Sequence, residues 1–117
     1  MTPAQVAAFL ARKHIAVVGF RAADGAPDGE PVTFSYTEGS VAFEVPRDGR
    51  AHRSLLHDPR VVCAVEEFPS YAEIKGVSVH GRALPVGVAG ERVTFRVEDP
   101  RIESFDFSRM RRPGGTG

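Results

Sequence analysis

Between His14 and Phe107 apolar side chains recur at every second position, or in short unbroken runs, and Gly, Pro or Asp closes almost every stretch. Residues two apart share a face only in an extended strand, so a chain with this period must make strands with one inward side and join them through turns. The segments are HIAVVGFR, EPVTFSY, VAFEVP, VVCAVEEF, IKGVSVHGRALPV, ERVTFRVE and RIESFDF. Val32, Phe34 and Tyr36 alternate with Thr33 and Ser35, and Val41, Phe43 and Val45 alternate with Ala42 and Glu44. TEGS joins two of these strands, Gly87 to Gly90 turns the chain, and Asp99-Pro100 divides the last two. Gly76 and Gly81 mark bulges or bends. A closed or nearly closed antiparallel meander satisfies such strands most economically.

Two segments follow a helical period instead. Thr2-Pro3-Ala4-Gln5 has the form of a capping box with proline at the first helical position, and Val6, Phe9 and Leu10 share one face of a helix over about residues 3 to 12. RAHRSLLH, anchored by Leu55 and Leu56 and stopped at Asp58-Pro59, is the second. With 117 residues the chain makes one domain, residues 1–108, followed by a basic, glycine-rich tail over residues 109–117. The first strand (Ile15, Val17, Val18) and the fourth (Val61 to Val65) are apolar on both faces. One small helix is too little to cover both, so a second copy of the chain is the expected cover.

The 15 Lys and Arg balance the 15 Asp and Glu, which argues against a protein that neutralises nucleic acid backbones or adheres to an acidic membrane. Cys63 is the single cysteine and lies inside an apolar strand, so it predicts a buried, inert thiol. No apolar run approaches a spanning helix and the N-terminus lacks a signal pattern, which together place the chain in the cytoplasm. No HExxH, paired cysteines or GxSxG occurs, and Glu66 and Glu67 point to opposite faces of one strand. His14 and His80 read as strand surface residues. The best candidate for chemistry is RDGRAHRS, where Arg47, Arg50 and Arg53 surround a glycine turn opening a helix. Guanidinium forks and free backbone N–H groups at that point suit a phosphate.

In this order the segments resemble the pyridoxamine 5'-phosphate oxidase-like family of FMN-binding split β-barrels. The resemblance runs from IAVVGF through DGAPDGEPVTFSY, VAFEVPRDGR, LLHDPRVV and YAEIKGVSVHGRA to SFDFS, and covers nearly the whole chain. It implies a mainly β fold: a six- to seven-stranded antiparallel split β-barrel with an N-terminal helix and one short helix between strands. It also implies FMN as cofactor, with a deazaflavin coenzyme or haem in some branches, bound by a homodimer. The family's phosphate-holding triplet falls on Gly49-Arg50-Ala51, where only Arg50 keeps the family pattern. A family arginine corresponds to Glu30 and a family hydroxyl to Val45, so Arg47 or Arg53 stands in for the missing charge, with Ser54 nearby. Val32, Thr33, Phe34 and Ser35 match the wall against which the flavin ring lies. Only seven residues separate Ala83 from Glu91, and Phe105 stands where many relatives carry Trp, which speaks against true pyridoxamine phosphate oxidation. The implied function is flavin redox chemistry on a small molecule. The alternatives are a non-catalytic flavin, deazaflavin or haem store, and a dimeric member without a cofactor site.

Overall fold

A computed structural model of the chain describes residues 2–70 and 73–108, the side chains of 67–75 and 105–108 excepted. The tail, and the side chains of Glu67 and Phe105, lie outside the described residues. Helix α1 (Pro3–Ala11) begins as its sequence dictates: the Gln5 amide donates to Thr2 Oγ1 at 3.2 Å and the Thr2 amide to Gln5 Oε1 at 2.8 Å. Its buried face, Phe9 and Leu10, packs against the strand Pro27–Thr37.

Strands β1 (Ile15–Arg21), β2 (Pro27–Thr37), β3 (Ser40–Pro46), β4 (Arg60–Ser70), β5 (Glu73–Ala89) and β6 (Arg92–Ser108), with helix α2 (Arg50–His57) between β3 and β4, complete the chain. They close an antiparallel barrel in the order β1-β2-β3-β6-β5-β4. The β2–β3 turn is set by Glu38 and Gly39, both at positive φ (51° and 83°), the twist that a two-residue hairpin favours. Alternation then fills the barrel: Val18, Phe34, Val41, Phe43, Val45, Cys63, Val65, Val77, Val79 and Phe95 are each at most 2% exposed. Burial pushes the free Cys63 thiol up to about 12, so it stays protonated.

Several sequence expectations need correction. The last two segments form one continuous strand, β6, and the barrel has six strands. Asp99-Pro100 does not divide it, because the β5–β6 register slips there: His80 pairs Arg101 while Arg82 pairs Glu98, and Asp99 turns through φ 51°. The chain reverses at Gly90-Glu91, since Gly87 is still paired within β5. Gly76 keeps regular pairing to Glu66 and Phe105, so of these two glycines Gly81 alone sits at a bulge. Leu55 anchors α2, whereas Leu56 is 59% exposed.

Gly81 is required at the bulge by close approach. A Cβ there would lie 2.6 Å from both the Glu98 carbonyl oxygen and Val97 Cγ1, and the backbone oxygen cannot step aside without moving β6. Gly81→Ala is therefore expected to cost about 1–3 kcal/mol. Gly87→Ala, where a Cβ meets nothing within 4 Å, should stay within about 0.5 kcal/mol of wild type in the same denaturant titration.

Candidate functional site

The turn from β3 into α2 is held by local bonds. Asp48 takes φ 64°, its amide donates to His52 Nδ1 at 2.9 Å, and the Gly49 amide donates to the Pro46 carbonyl at 3.2 Å. A Cβ at Gly49 would lie 3.2 Å from that same carbonyl, so any side chain at this helix N-cap would crowd the turn. The His52 side chain is 15% exposed and sets its ring edgewise on Phe95, with centroids 6.0 Å apart, so the turn is tied to the barrel core.

Arg50 opens α2 and reaches β2. Its Nε donates to Asp28 Oδ2 at 2.9 Å and its Nη2 to Asp28 Oδ1 at 3.2 Å, a two-pronged pair, and Nη2 also reaches the Gly29 carbonyl at 3.4 Å. Glu30 Oε1 stands 3.9 Å from the same nitrogen. Period-two spacing puts Asp28 and Glu30 on one face of β2, which is how both carboxylates come to meet one guanidinium. The Arg50 hydrogen bonds, helped by the Gly29 amide at 2.7 Å, hold the Asp28 carboxyl below the ordinary 3.8, and Asp28 in turn raises Arg50.

A depressed folded-state value means that the pair contributes stability above 3.8 and loses it as pH falls through the lower folded value. The clasp is thus intact through neutral and mildly acidic solution. A carboxyl-carbon NMR titration is expected to put the Asp28 midpoint below 3.8 in the wild type and to move it upward in Arg50→Gln. An unchanged midpoint in the variant would show that Arg50 does not hold the charge.

The other residues singled out from the sequence are scattered. Arg53 Nη1 donates to the Asp48 carbonyl at 3.0 Å, and Arg47 is exposed, its amide on the Glu91 carbonyl at 2.7 Å. Ser54 is 7% exposed beneath α2. Val32 and Phe34 are core side chains, 5% and 2% exposed, so in that stretch only the outward Thr33 and Ser35 can face a ligand. The pairing of β1 with β2 begins at Ile15 and Thr33, which leaves Ser35 at the open end of that edge. The phosphate-holding triplet expected at Gly49-Arg50-Ala51 already has partners within the chain. The Arg50 fork is taken by Asp28 with Glu30 beside it, while Ala51 and Val45 are both fully buried in the core.

Sequence reasoning missed a groove of about 510 Å³ on the barrel wall, where β1, β2 and β4 lie side by side. Gly19, Phe20, Val61 and Val62 line it, with Asp28, Arg21 and Arg60 among its charged residues. Gly19 leaves it open, since a Cβ there would press on Val62 Cγ1 at 3.0 Å. Asp58 receives Arg60 at 2.7 Å and Arg21 at 3.7 Å, and chiefly the Arg60 hydrogen bond lowers its carboxyl far below the usual range. Next to the groove, Ile15 and Val17 stand 63% and 51% exposed, with Val62 and Ala64 half-buried across the β1–β4 pairing. The signal for this face was in the sequence, as the two strands apolar on both sides. Among the described residues no group of three His, Cys, Asp or Glu side chains could hold a metal ion, and no helix is long and apolar enough to cross a membrane.

None of the curated proteins matches this sequence. Solved structures match the fold closely at low identity. A conserved hypothetical protein of Mycobacterium tuberculosis superposes with a TM-score of 0.78 at 20% identity, over 91% of this chain and 85% of its own. A protein of Mesorhizobium loti described as FAD-binding gives 0.78 at 16% identity, over 92% and 96%. A Mycobacterium smegmatis protein described as heme-binding gives 0.70 at 14%, over 94% and 60%. These likenesses show the shared barrel. In sequence, the model of the pyridoxamine 5'-phosphate oxidase family matches residues 2–107, and the chain, with its six-stranded closed barrel, belongs to that family.

Proposed function

We propose that this chain is a flavin-binding protein that works as a homodimer, with the flavin ring in the groove between β1, β2 and β4 and a small molecule as redox partner. The observation that carries the reading is the outward apolar face of exposed Ile15 and Val17 with half-buried Val62 and Ala64, beside a groove of ligand size. A face of this kind on a single domain marks an interaction surface, and a net charge of zero opposes no second copy. Flavin is favoured over haem because the ring needs no axial side chain. His14 is exposed outside the groove lining, and His80, the cross-strand partner of Val62, already has Glu103 at 3.7 Å from its ring. The described relatives include FAD-binding and heme-binding members, which supports a cofactor of one of these classes. When bound, the ring would supply hydride or electron transfer; the chain orients it and, through the dimer seam, keeps water away.

The test is the visible spectrum of the purified protein, followed by titration with riboflavin, FMN, FAD, a deazaflavin and haem, with mass measured by light scattering. A flavin band or micromolar flavin binding, in a species of twice the chain mass, is the expected result. A monomer that binds none of the five overturns the reading. Binding without turnover by any reductant would make the protein a store of the cofactor.

A further inference from the structure

The guanidinium at the start of α2 already holds an anion, and the anion is part of the chain. Asp28 meets Arg50 with both oxygens, at 2.9 and 3.2 Å on Nε and Nη2, in the fork-on-fork geometry that two oxygens of a phosphate would adopt. Glu30 adds a second carboxylate 3.9 Å from Nη2. The Arg50 fork thus has two carboxylates on it, the neighbouring Arg53 is turned to the Asp48 carbonyl, and Ala51 brings no charge. A phosphate monoester carries close to two negative charges at neutral pH. To bind the Nε–Nη2 edge of Arg50 it must displace Asp28 and lie against Glu30, so two carboxylates would face the dianion without their partner.

We propose that Asp28 and Glu30 are an internal surrogate for phosphate and set the ligand specificity of this site: they exclude a flavin that presents a phosphate monoester to the start of α2. The accepted class is a flavin with an uncharged side chain at that point. The proposal rests on the flavin reading above and sharpens it. It makes Asp28 and Glu30 specificity residues, with Arg50 as the cation they neutralise.

The decisive experiment titrates riboflavin and FMN, followed by flavin fluorescence, into the wild-type protein, the double variant Asp28→Asn with Glu30→Gln, and the same double variant carrying Arg50→Gln. Riboflavin is expected to bind the wild type at least tenfold more tightly than FMN. The double variant should gain about 10- to 100-fold for FMN alone, the effect of one charge-assisted phosphate contact, and the triple variant should lose that gain. Wild-type protein that binds FMN as tightly as riboflavin, or more tightly, would overturn the proposal. So would a double variant that melts like the wild type and gains nothing for FMN. If neither flavin binds any of the proteins, the flavin reading fails by itself, and the surrogate is read with inorganic phosphate and the Arg50 Nε NMR signal. Phosphate at about 10 mM should then move that signal in the double variant and leave it unmoved in the wild type; equal shifts in both would overturn the surrogate.

Discussion

Phe95→Ala is expected to lower the unfolding free energy by about 3–5 kcal/mol, a large part of the roughly 6–18 kcal/mol available to a domain of this length. Phe95 is fully buried on β6 and pairs directly with Phe43 on β3. The two rings stack with centroids 5.6 Å apart at 15°, and the edge of His52 meets Phe95 from α2. Truncation therefore empties the place where two strands and a helix converge. It also frees His52, whose Nδ1 accepts the Asp48 amide at 2.9 Å, so the turn that presents Arg50 should loosen. Guanidinium unfolding measures the loss, with Val88→Ala as control, since Val88 is 63% exposed and should stay within about 0.5 kcal/mol. A loss below about 1 kcal/mol for Phe95→Ala would mean that the barrel refills the space and the stack does not hold α2.

The barrel could be read from the sequence because its determinants are local. Alternation in VTFSY and VAFEVP decides which side chains enter the core, and the structure buries Val32, Phe34, Val41, Phe43 and Val45 accordingly. Thr2 and Gln5 decide the start of α1 within four residues of chain. What escaped was long-range. Asp99-Pro100 looks like a strand break, and it is absorbed as a bulge only because Gly81, eighteen residues earlier, lets β5 come close to β6. The site was legible to the same degree. Arg50 stood out within RDGRAHRS, but its partner Asp28 lies 22 residues away on a different element, so the ion pair that engages its charge could not be read from that segment. Asp28 and Glu30 at alternate positions of one strand were a usable signal, because equal parity sends both carboxylates to one face. The groove had no sequence signal, since it exists only where β1, β2 and β4 are brought side by side.

Val17→Glu is expected to separate the proposed dimer while leaving the folded protomer intact, weakening self-association by several kcal/mol, or about a thousandfold. Val17 points outward from β1, is half exposed and lies opposite Ala64 on β4 and Pro31 on β2, so a carboxylate there meets solvent in a lone chain. The expected cost to the protomer is within about 0.5 kcal/mol. In a two-fold dimer closed through this face, each new carboxylate is buried in apolar surface and faces its own copy, and both effects oppose association. Light scattering across a dilution series reads the dimer and urea unfolding at low concentration reads the protomer. Flavin titration of the same variant then asks whether the ligand needs the second copy. If the groove alone holds the ring, affinity survives in the monomer; if the seam completes the site, affinity falls with the dimer. A variant that stays dimeric would place the interface on another face of the barrel, and the apolar stripe on β1 and β4 would then belong to the ligand alone.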